Sequence, residues 1–514
     1  MRDATGTVAV VGTGTMGQGI AQVALLAGHT VRLHDVAPDR AAQAAEAVLG
    51  RLDRLVDKGR LDAEERAAAA ARLHAHTGPD GVGDLADADV VVEAILEDLG
   101  AKQQLFTALE QVVSDETLLA TNTSSLSVTA IAAALRLPGR FVGLHFFNPA
   151  PLLPLVEVVS GHATDEAAAE RAVKLATTWG KTPVRCADTP GFIVNRVARP
   201  FYAEAFRVYE ERAADPATID AVLRESGGFR MGPFELTDLI GQDVNESVTR
   251  SVWESFFQDV KFTPSLAQRR LVQSGRLGRK TGHGWYDHTP GASRPEPHTA
   301  RPCPAPEYAV LHGGLGPAAA LPAMATEAGI PLRTPEASAA AEPTTTGATT
   351  PGDTTRHGCL ELPGGALLRL ADGSQPRGRE IHFDLALDYR TATRVALAPA
   401  DAASVADLAE ATGFFQALGK AVSVVEPVPG MIVARTVAML ADFAADTVGR
   451  GVAGAGDVDT AMRLGVNYPV GPLRWCDDLG ADWVADVLHH LHREYPTGRY
   501  APGRALLRRK GAES

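Results

Sequence analysis

The chain has 514 residues, too many for one hydrophobic core, so roughly two to four domains are expected. A formal net charge of -13 argues against a nucleic-acid partner, and the 45% apolar and 22% charged content is that of an ordinary soluble globular protein. Four scattered cysteines (Cys186, Cys303, Cys359, Cys476) include no CxxC pair and suit neither a disulfide framework nor a zinc site. They point to a reducing compartment. The first apolar run, TVAVVG, is short and ends at glycine, so no signal peptide is expected, and no apolar run is long enough to span a membrane. Composition therefore predicts a cytoplasmic protein.

Residues 7 to 36 read strand, glycine turn, helix, strand: TVAVVG, TGTMGQG, IAQVALLAGH, TVRLHD. The alternation continues through DADVVVEAI, the helix-like LGAKQQLFTALEQVV, TLLATNT and FVGLHFF. Strands separated by helices predict a parallel sheet covered on both faces, an α/β Rossmann-like dinucleotide-binding domain over residues 1–188. After TPGFIVNR the periods become helical, in RVARPFYAEAFRVYEER and PATIDAVLRES, predicting an all-α domain over 189–290. Residues 291–360 are rich in Pro, Gly, Ala and Thr and are read as a linker, because they can bury little apolar surface.

An internal repeat follows. GKTPVRCADTPGFIVNR at 180 aligns without a gap on GKAVSVVEPVPGMIVAR at 419, and the register carries Gly191 onto Gly430, Asp220 onto Asp459, Pro233 onto Pro472 and Gly241 onto Gly480. The helical domain thus occurs twice, the second time over 426–514. Residues 361–425 carry strand-like pieces such as HFDLALDY without a glycine fingerprint and read as a degenerate α/β segment.

The glycine turn is Gly12-Thr-Gly14-Thr15-Met16-Gly17. In this pattern one glycine makes the turn, the next admits a pyrophosphate, and the third lets helix and strand pack closely. The helix N-terminus then faces the phosphates. Asp35 ends the second strand at about the 20-residue spacing of an acid that binds an adenine-ribose diol and repels a 2'-phosphate, which predicts NAD rather than NADP. Glu97 and Lys102 follow the strand VVVEAI, where a solvated pair at a helix start is as good a reading as a cofactor contact.

In GLHFFNPAPLLPLVEVV, His145, Asn148 and Glu157 interrupt an apolar stretch. Its prolines force a reversal that can return Glu157 beside His145, where a carboxylate on one ring nitrogen fixes the tautomer and leaves the other nitrogen for substrate. The competing reading is a core histidine with a strand-end acid. Ser124, in TNTSSL after a strand, is a candidate to hold a substrate oxygen, while Ser125 or Ser127 suits a helix cap. Asn195 lies in an apolar run where a buried amide needs a partner, and the repeat replaces it with Ala434.

Together these motifs resemble the 3-hydroxyacyl-CoA dehydrogenase family over residues 5–288, through VGTGTMGQGIA, TNTSSL, GLHFFNPAPLLPLVEVV, TPGFIVNR and LGRKTGHGWYD. The resemblance implies NAD-dependent oxidation of an (S)-3-hydroxyacyl-CoA. It makes His145 the catalytic base, Glu157 its partner, and Ser124 and Asn195 contacts to the reacting hydroxyl or thioester. Asn148 then lines the site, Glu97, Lys102 and Lys280 contact the cofactor, and Lys58 falls where the family holds the CoA tail. The duplicated helical domain resembles the long bacterial form associated with phenylacetate degradation, which acts on 3-hydroxyadipyl-CoA or 3-hydroxybutyryl-CoA. Short members pair through their helical domains, so a homodimer or a pseudo-dimeric monomer is expected. A dehydrogenase of free hydroxy acids and a non-catalytic NAD-binding relative are the alternatives. No metal is expected.

Overall fold

The structure is a computed structural model that describes residues 6–77, 81–335 and 358–511. It divides into two compact units, one of residues 1–196 and 450–466, the other of 197–449 and 467–514.

The first unit is built on an eight-stranded sheet in the order β3-β2-β1-β4-β5-β6-β7-β8. Its strands are β1 (Thr7–Val11), β2 (Thr30–Asp35), β3 (Leu73–Thr77), β4 (Val90–Glu93), β5 (Leu118–Thr121), β6 (Phe141–Phe146), β7 (Leu155–Ser160) and β8 (Thr182–Ala187). All neighbours pair parallel except β6 and β7. The helices are α1 (Thr15–Leu26), α2 (Arg40–Asp57), α3 (Ala63–Ala71), α4 (Leu99–Glu110), α5 (Val128–Ala132) and α6 (Glu166–Thr178). A parallel sheet is covered on both faces, which is why β1 and β4 read as unbroken valine-rich runs rather than alternating ones. Val10, Val92, Leu144 and Val158 are fully buried in its core with Ile20 and Val48 from the helices. The order reverses at β1 and β4, so the carboxyl ends of these strands form the crevice where such sheets bind ligands.

The second unit holds a seven-stranded sheet, β10-β9-β11-β12-β13-β14-β15. Its members are β9 (Ala309–His312), β10 (Leu332–Arg333), β11 (Cys359–Glu361), β12 (Leu367–Leu370), β13 (Glu380–Phe383), β14 (Arg394–Pro399) and β15 (Ala421–Val424). One expectation is corrected here. Residues 291–335 are not a linker: β9, β10 and the helix Leu321–Glu327 build one edge of this sheet, their apolar residues Ala309, Val310, Leu321 and Ala325 buried. The extreme Thr/Pro run lies outside the described residues. The two helical copies do not each stay within one unit: residues 450–466 of the second copy belong to the first unit.

The interleaving has a physical logic. The helix Pro216–Glu225, from the first helical copy, packs on β14, with Ser226 Oγ donating to Arg394 O at 2.7 Å. Its repeat equivalent Ala455–Gly465, from the second copy, packs on β7 and β8 of the first unit, where Ala187 N donates to Val452 O at 2.8 Å. A Cβ on Gly465 would meet Leu155 Cδ2 at 2.7 Å, so the helix seats closely against this strand. Each sheet is thus covered by a helix from the other copy. Within the second unit, the almost wholly buried helix Val433–Gly449 packs on Arg199–Glu210, the expected internal pairing of the two helical copies.

Candidate active site

The glycine turn has the stereochemistry its spacing predicts. Gly12 has φ +93°, and a Cβ there would lie 2.6 Å from Ala94 O; on Gly17 it would lie 1.9 Å from Gly12 O. A Cβ on Gly14 would meet nothing within 4 Å. The middle glycine therefore faces open space at the start of α1, the cradle that a pyrophosphate fills. Thr15 and Met16 open that helix, Thr15 exposed and Met16 half-buried. Asp35 accepts from Thr13 N (3.0 Å), Thr13 Oγ1 (2.7 Å) and Ala37 N (3.1 Å). Burial alone would raise its carboxyl, but the bonds from Thr13 and Ala37 outweigh it and hold the group below the usual aspartate range. An ionised acid at the end of β2 beside the glycine turn fits an adenine-ribose diol, so these residues fit NAD.

The catalytic stretch folds as its prolines demand. β6 and β7 pair antiparallel with His145 directly opposite Glu157. His145 Nδ1 lies 2.6 Å from Glu157 Oε2, and the two residues are 5% and 0% exposed. The other carboxylate oxygen accepts from the backbone N–H groups of Ile193 (3.0 Å) and Val194 (2.9 Å), at the start of the helix Val194–Val197. This arrangement suits acceptance of an Nδ1–H of His145 by Glu157, with Nε2 outside the contact. Phe192 and Phe147 flank the imidazole at ring-centroid distances of 5.7 and 4.5 Å.

Around the dyad the TNTSSL loop is tightly tied. Asn122 Oδ1 accepts from Phe146 N (2.8 Å) and pins the end of β6. Glu97 Oε1 gathers Thr123 Oγ1 (2.7 Å), Ser124 N (2.9 Å) and both N and Oγ of Ser125 (3.0 Å each). Burial would raise the Glu97 carboxyl, but the Thr123 bond, the Lys102 charge and the serine bonds outweigh it and hold it low. Lys102 is 1% exposed, its Nζ 2.5 Å from Glu93 and 3.3 Å from Glu97. The pair is solvated on one side only: Lys102 is internal while Glu97 is exposed, and it is the Glu97 carboxylate that orders the serine loop. Ser127 caps α5, accepting from Ala130 N at 3.1 Å, and leaves Ser124 half-buried with its hydroxyl 3.5 Å from Glu97. Asn148 is exposed. Asn195 is half-buried rather than buried, correcting the sequence reading, and its amide forms no bond to a described residue. Lys58 is exposed at the end of α2. Lys280 belongs to the second unit, paired with Asp243 at 2.6 Å.

Sequence reasoning missed Glu93, the buried hub that also accepts from Thr121 Oγ1 (2.6 Å) and Ile95 N (2.7 Å). An acid closing a valine strand was its only signal.

The second sheet shows what the copy has lost. Leu155 faces Thr182 in β7–β8 and Arg394 faces Ala421 in β14–β15, so the 239-position offset of the repeat extends into the sheets. By that offset Asp384 stands for His145 and Ala396 for Glu157, and Asp384 N indeed bonds to Ala396 O. The Asp384 carboxylate accepts from the Ile432, Val433 and Ala434 N–H groups at 2.8 to 3.0 Å, the first two equivalent to the donors that Glu157 holds. One buried aspartate replaces the dyad, keeping the helix start satisfied without an imidazole.

Comparison with known proteins agrees with this geometry. The 3-hydroxyacyl-CoA dehydrogenase NAD binding domain matches residues 7–189, and the C-terminal domain of the same family matches twice, over 191–288 and 430–511. The chain belongs to the 3-hydroxyacyl-CoA dehydrogenase family. Residues 369–429 match the reduced Rossmann-fold domain of 3-hydroxybutyryl-CoA dehydrogenase, the degenerate α/β segment read from sequence. The chain is 42% identical over 511 residues to the 3-hydroxyadipyl-CoA dehydrogenase of Escherichia coli K12, covering 99% of this chain and 98% of that one. It is 40% identical over 284 residues to the mitochondrial hydroxyacyl-coenzyme A dehydrogenase of Sus scrofa, covering 55% of this chain and 90% of that protein. A crystal structure of 3-hydroxybutyryl-CoA dehydrogenase from Escherichia coli K12 superposes with a TM-score of 0.85 at 40% identity, covering 99% of each chain.

Proposed function

We propose that this chain oxidises the 3-hydroxyl of an (S)-3-hydroxyacyl-CoA to the 3-oxoacyl-CoA with NAD, on the single site of its first half. The observation that carries this is the buried His145–Glu157 dyad beside a glycine turn with open space at Gly14. When bound, NAD supplies the hydride acceptor. His145 Nε2 takes the hydroxyl proton, and Glu157 stabilises the imidazolium that results. Ser124 and the free amide of Asn195 hold the reacting oxygens, Asn148 lines the site, and Lys58 meets the CoA tail. Gly12, Gly14, Thr15, Met16, Gly17 and Asp35 bind the cofactor, with Glu97 and Lys102 acting from beneath the serine loop and Lys280 as a further contact. The enzyme works in the cytoplasm, and pairing of its two helical copies supports a pseudo-dimeric monomer over a homodimer.

Oxidation of NADH by the purified protein with acetoacetyl-CoA tests the reaction, with free acetoacetate alongside. Thioester-dependent turnover is expected; turnover of the free acid alone would select a hydroxy-acid dehydrogenase, and NAD binding without turnover a non-catalytic relative. Asp35→Ala removes the diol acceptor and the negative charge. Its Kd for NAD should rise about tenfold and its preference over NADP should shrink, measured by titration of both cofactors.

A further inference from the structure

A dinucleotide whose diol meets Asp35, on β2, and whose reacting ring meets His145, on β6, crosses the carboxyl ends of the strands between them. In the order β2-β1-β4-β5-β6 these are β1, which leads into the glycine turn, and then β4 and β5. The nicotinamide half thus passes over β4 and β5. β4 ends in a buried acid to which the proposed reaction gives no role.

That acid is Glu93. It stands in register between Val11, the residue before the glycine turn, and Thr121, the last residue before the serine loop. It is fully buried, and its oxygens meet donors: Lys102 Nζ at 2.5 Å and Ile95 N at 2.7 Å on Oε1, and Thr121 Oγ1 at 2.6 Å on Oε2. Such a set of donors suits a carboxylate. Lys102, 1% exposed, has a second acid near it, Glu97 at 3.3 Å. A buried ammonium needs a close counter-charge, and Glu93 is both the nearer and the more buried of the two. Glu97 is exposed and accepts the Ser124 and Ser125 N–H groups. Two carboxylates around one ammonium leave one negative charge, on the Glu97 side.

The second sheet shows that this type of sheet closes without such a relay. There Arg369 faces His382 as Thr121 faces Gly143, at the same offset of 239 positions between the two partners, and β11, the next strand beyond β12, runs antiparallel to it. The relay belongs to the half that carries the dyad and the glycine turn.

The two forms of the cofactor differ by one charge at the nicotinamide ring, which is a cation in oxidised NAD and neutral in NADH. We infer that Glu93, by neutralising Lys102, leaves the Glu97 charge uncompensated and so sets how far the site favours oxidised over reduced cofactor, an inference that rests on the dehydrogenase reading above. Glu93 is a positioning residue, acting through Lys102 and Glu97. In Glu93→Gln, Lys102 keeps an acceptor of the same shape, but its charge turns on Glu97 and the local field is quenched.

The test titrates the full-length protein, without thioester, with oxidised NAD and with NADH in wild type, Glu93→Gln and Thr121→Val, beside turnover of acetoacetyl-CoA by wild type. In Glu93→Gln the Kd for oxidised NAD should rise about tenfold while that for NADH stays within about twofold, the effect of one charge acting across about 10 Å of protein. Thr121→Val removes a bond to Glu93 but no charge, and should leave the ratio of the two Kd values within about twofold of wild type. A merely structural role would weaken both cofactor forms together. An unmoved ratio in Glu93→Gln, with wild type turning over the thioester, would overturn this inference and leave the reaction standing. Wild type that binds neither form would overturn both. Should Glu93→Gln not fold, Glu97→Gln, at an exposed position, should show the same shift in the ratio, and its absence would overturn the inference.

Discussion

His145→Ala should lower turnover of a 3-hydroxyacyl-CoA about 1000-fold while the Kd for NAD stays within about twofold, measured by steady-state kinetics and cofactor titration. The imidazole is buried and bonded through Nδ1 to Glu157, while Asp35 is tied to Thr13 at the glycine turn and makes no hydrogen bond to it. Glu157 separates chemistry from structure. Glu157→Gln keeps an acceptor for the Ile193 and Val194 N–H groups but loses the charge that stabilises the imidazolium, so turnover should fall with little loss of stability. Glu157→Ala removes the acceptor and leaves two buried donors unpaired, which should also cost roughly 2 to 4 kcal/mol in denaturation experiments.

The second large effect concerns the helical core rather than the active site. Glu204 is fully buried between Arg499 and Arg435 and accepts from the Tyr500 hydroxyl at 2.7 Å. Burial would raise its carboxyl, but Arg499, Arg435 and Arg207 outweigh that and pull it from 4.5 down to about 2. A carboxyl depressed in the folded state contributes stability above its unfolded pKa, and the contribution is lost as pH falls from about 4.5 towards 2. The shift corresponds to about 3 kcal/mol at neutral pH. Glu204→Ala should therefore destabilise by roughly 3 to 5 kcal/mol, since it leaves buried cations behind. Thermal denaturation between pH 6 and 3 should show a shallower acid dependence for Glu204→Gln than for wild type. Equal slopes would mean that the carboxylate does not carry the charge balance of this core.

The local chemistry was legible in the sequence because it is written in contiguous motifs. The strand, glycine turn and acid at Asp35 need only spacing, and the prolines after Asn148 dictate the reversal that faces Glu157 to His145. What composition hid was the sheet edge at 309–333, whose strands AVLH and LR are too short to stand out from their proline- and glycine-rich surroundings. The exchange of covering helices was equally invisible. Periodicity gives Pro216–Glu225 and Ala455–Gly465 an apolar face but not the sheet that face meets. The residue that stands for His145 in the second sheet became visible only from the strand register, which places Asp384 there.

The reaction proposed for the His145–Glu157 site removes hydrogen from C3 of a CoA thioester. Incubating the enzyme and NAD with 3-hydroxybutyryl-CoA deuterated at C3, and weighing the reduced cofactor by mass spectrometry, tests that transfer directly. The prediction is reduced cofactor one mass unit heavier than with the unlabelled thioester, formed by wild type and not by His145→Ala at the same enzyme concentration. Reduced cofactor without deuterium, or equal labelling by the variant, would contradict the central claim.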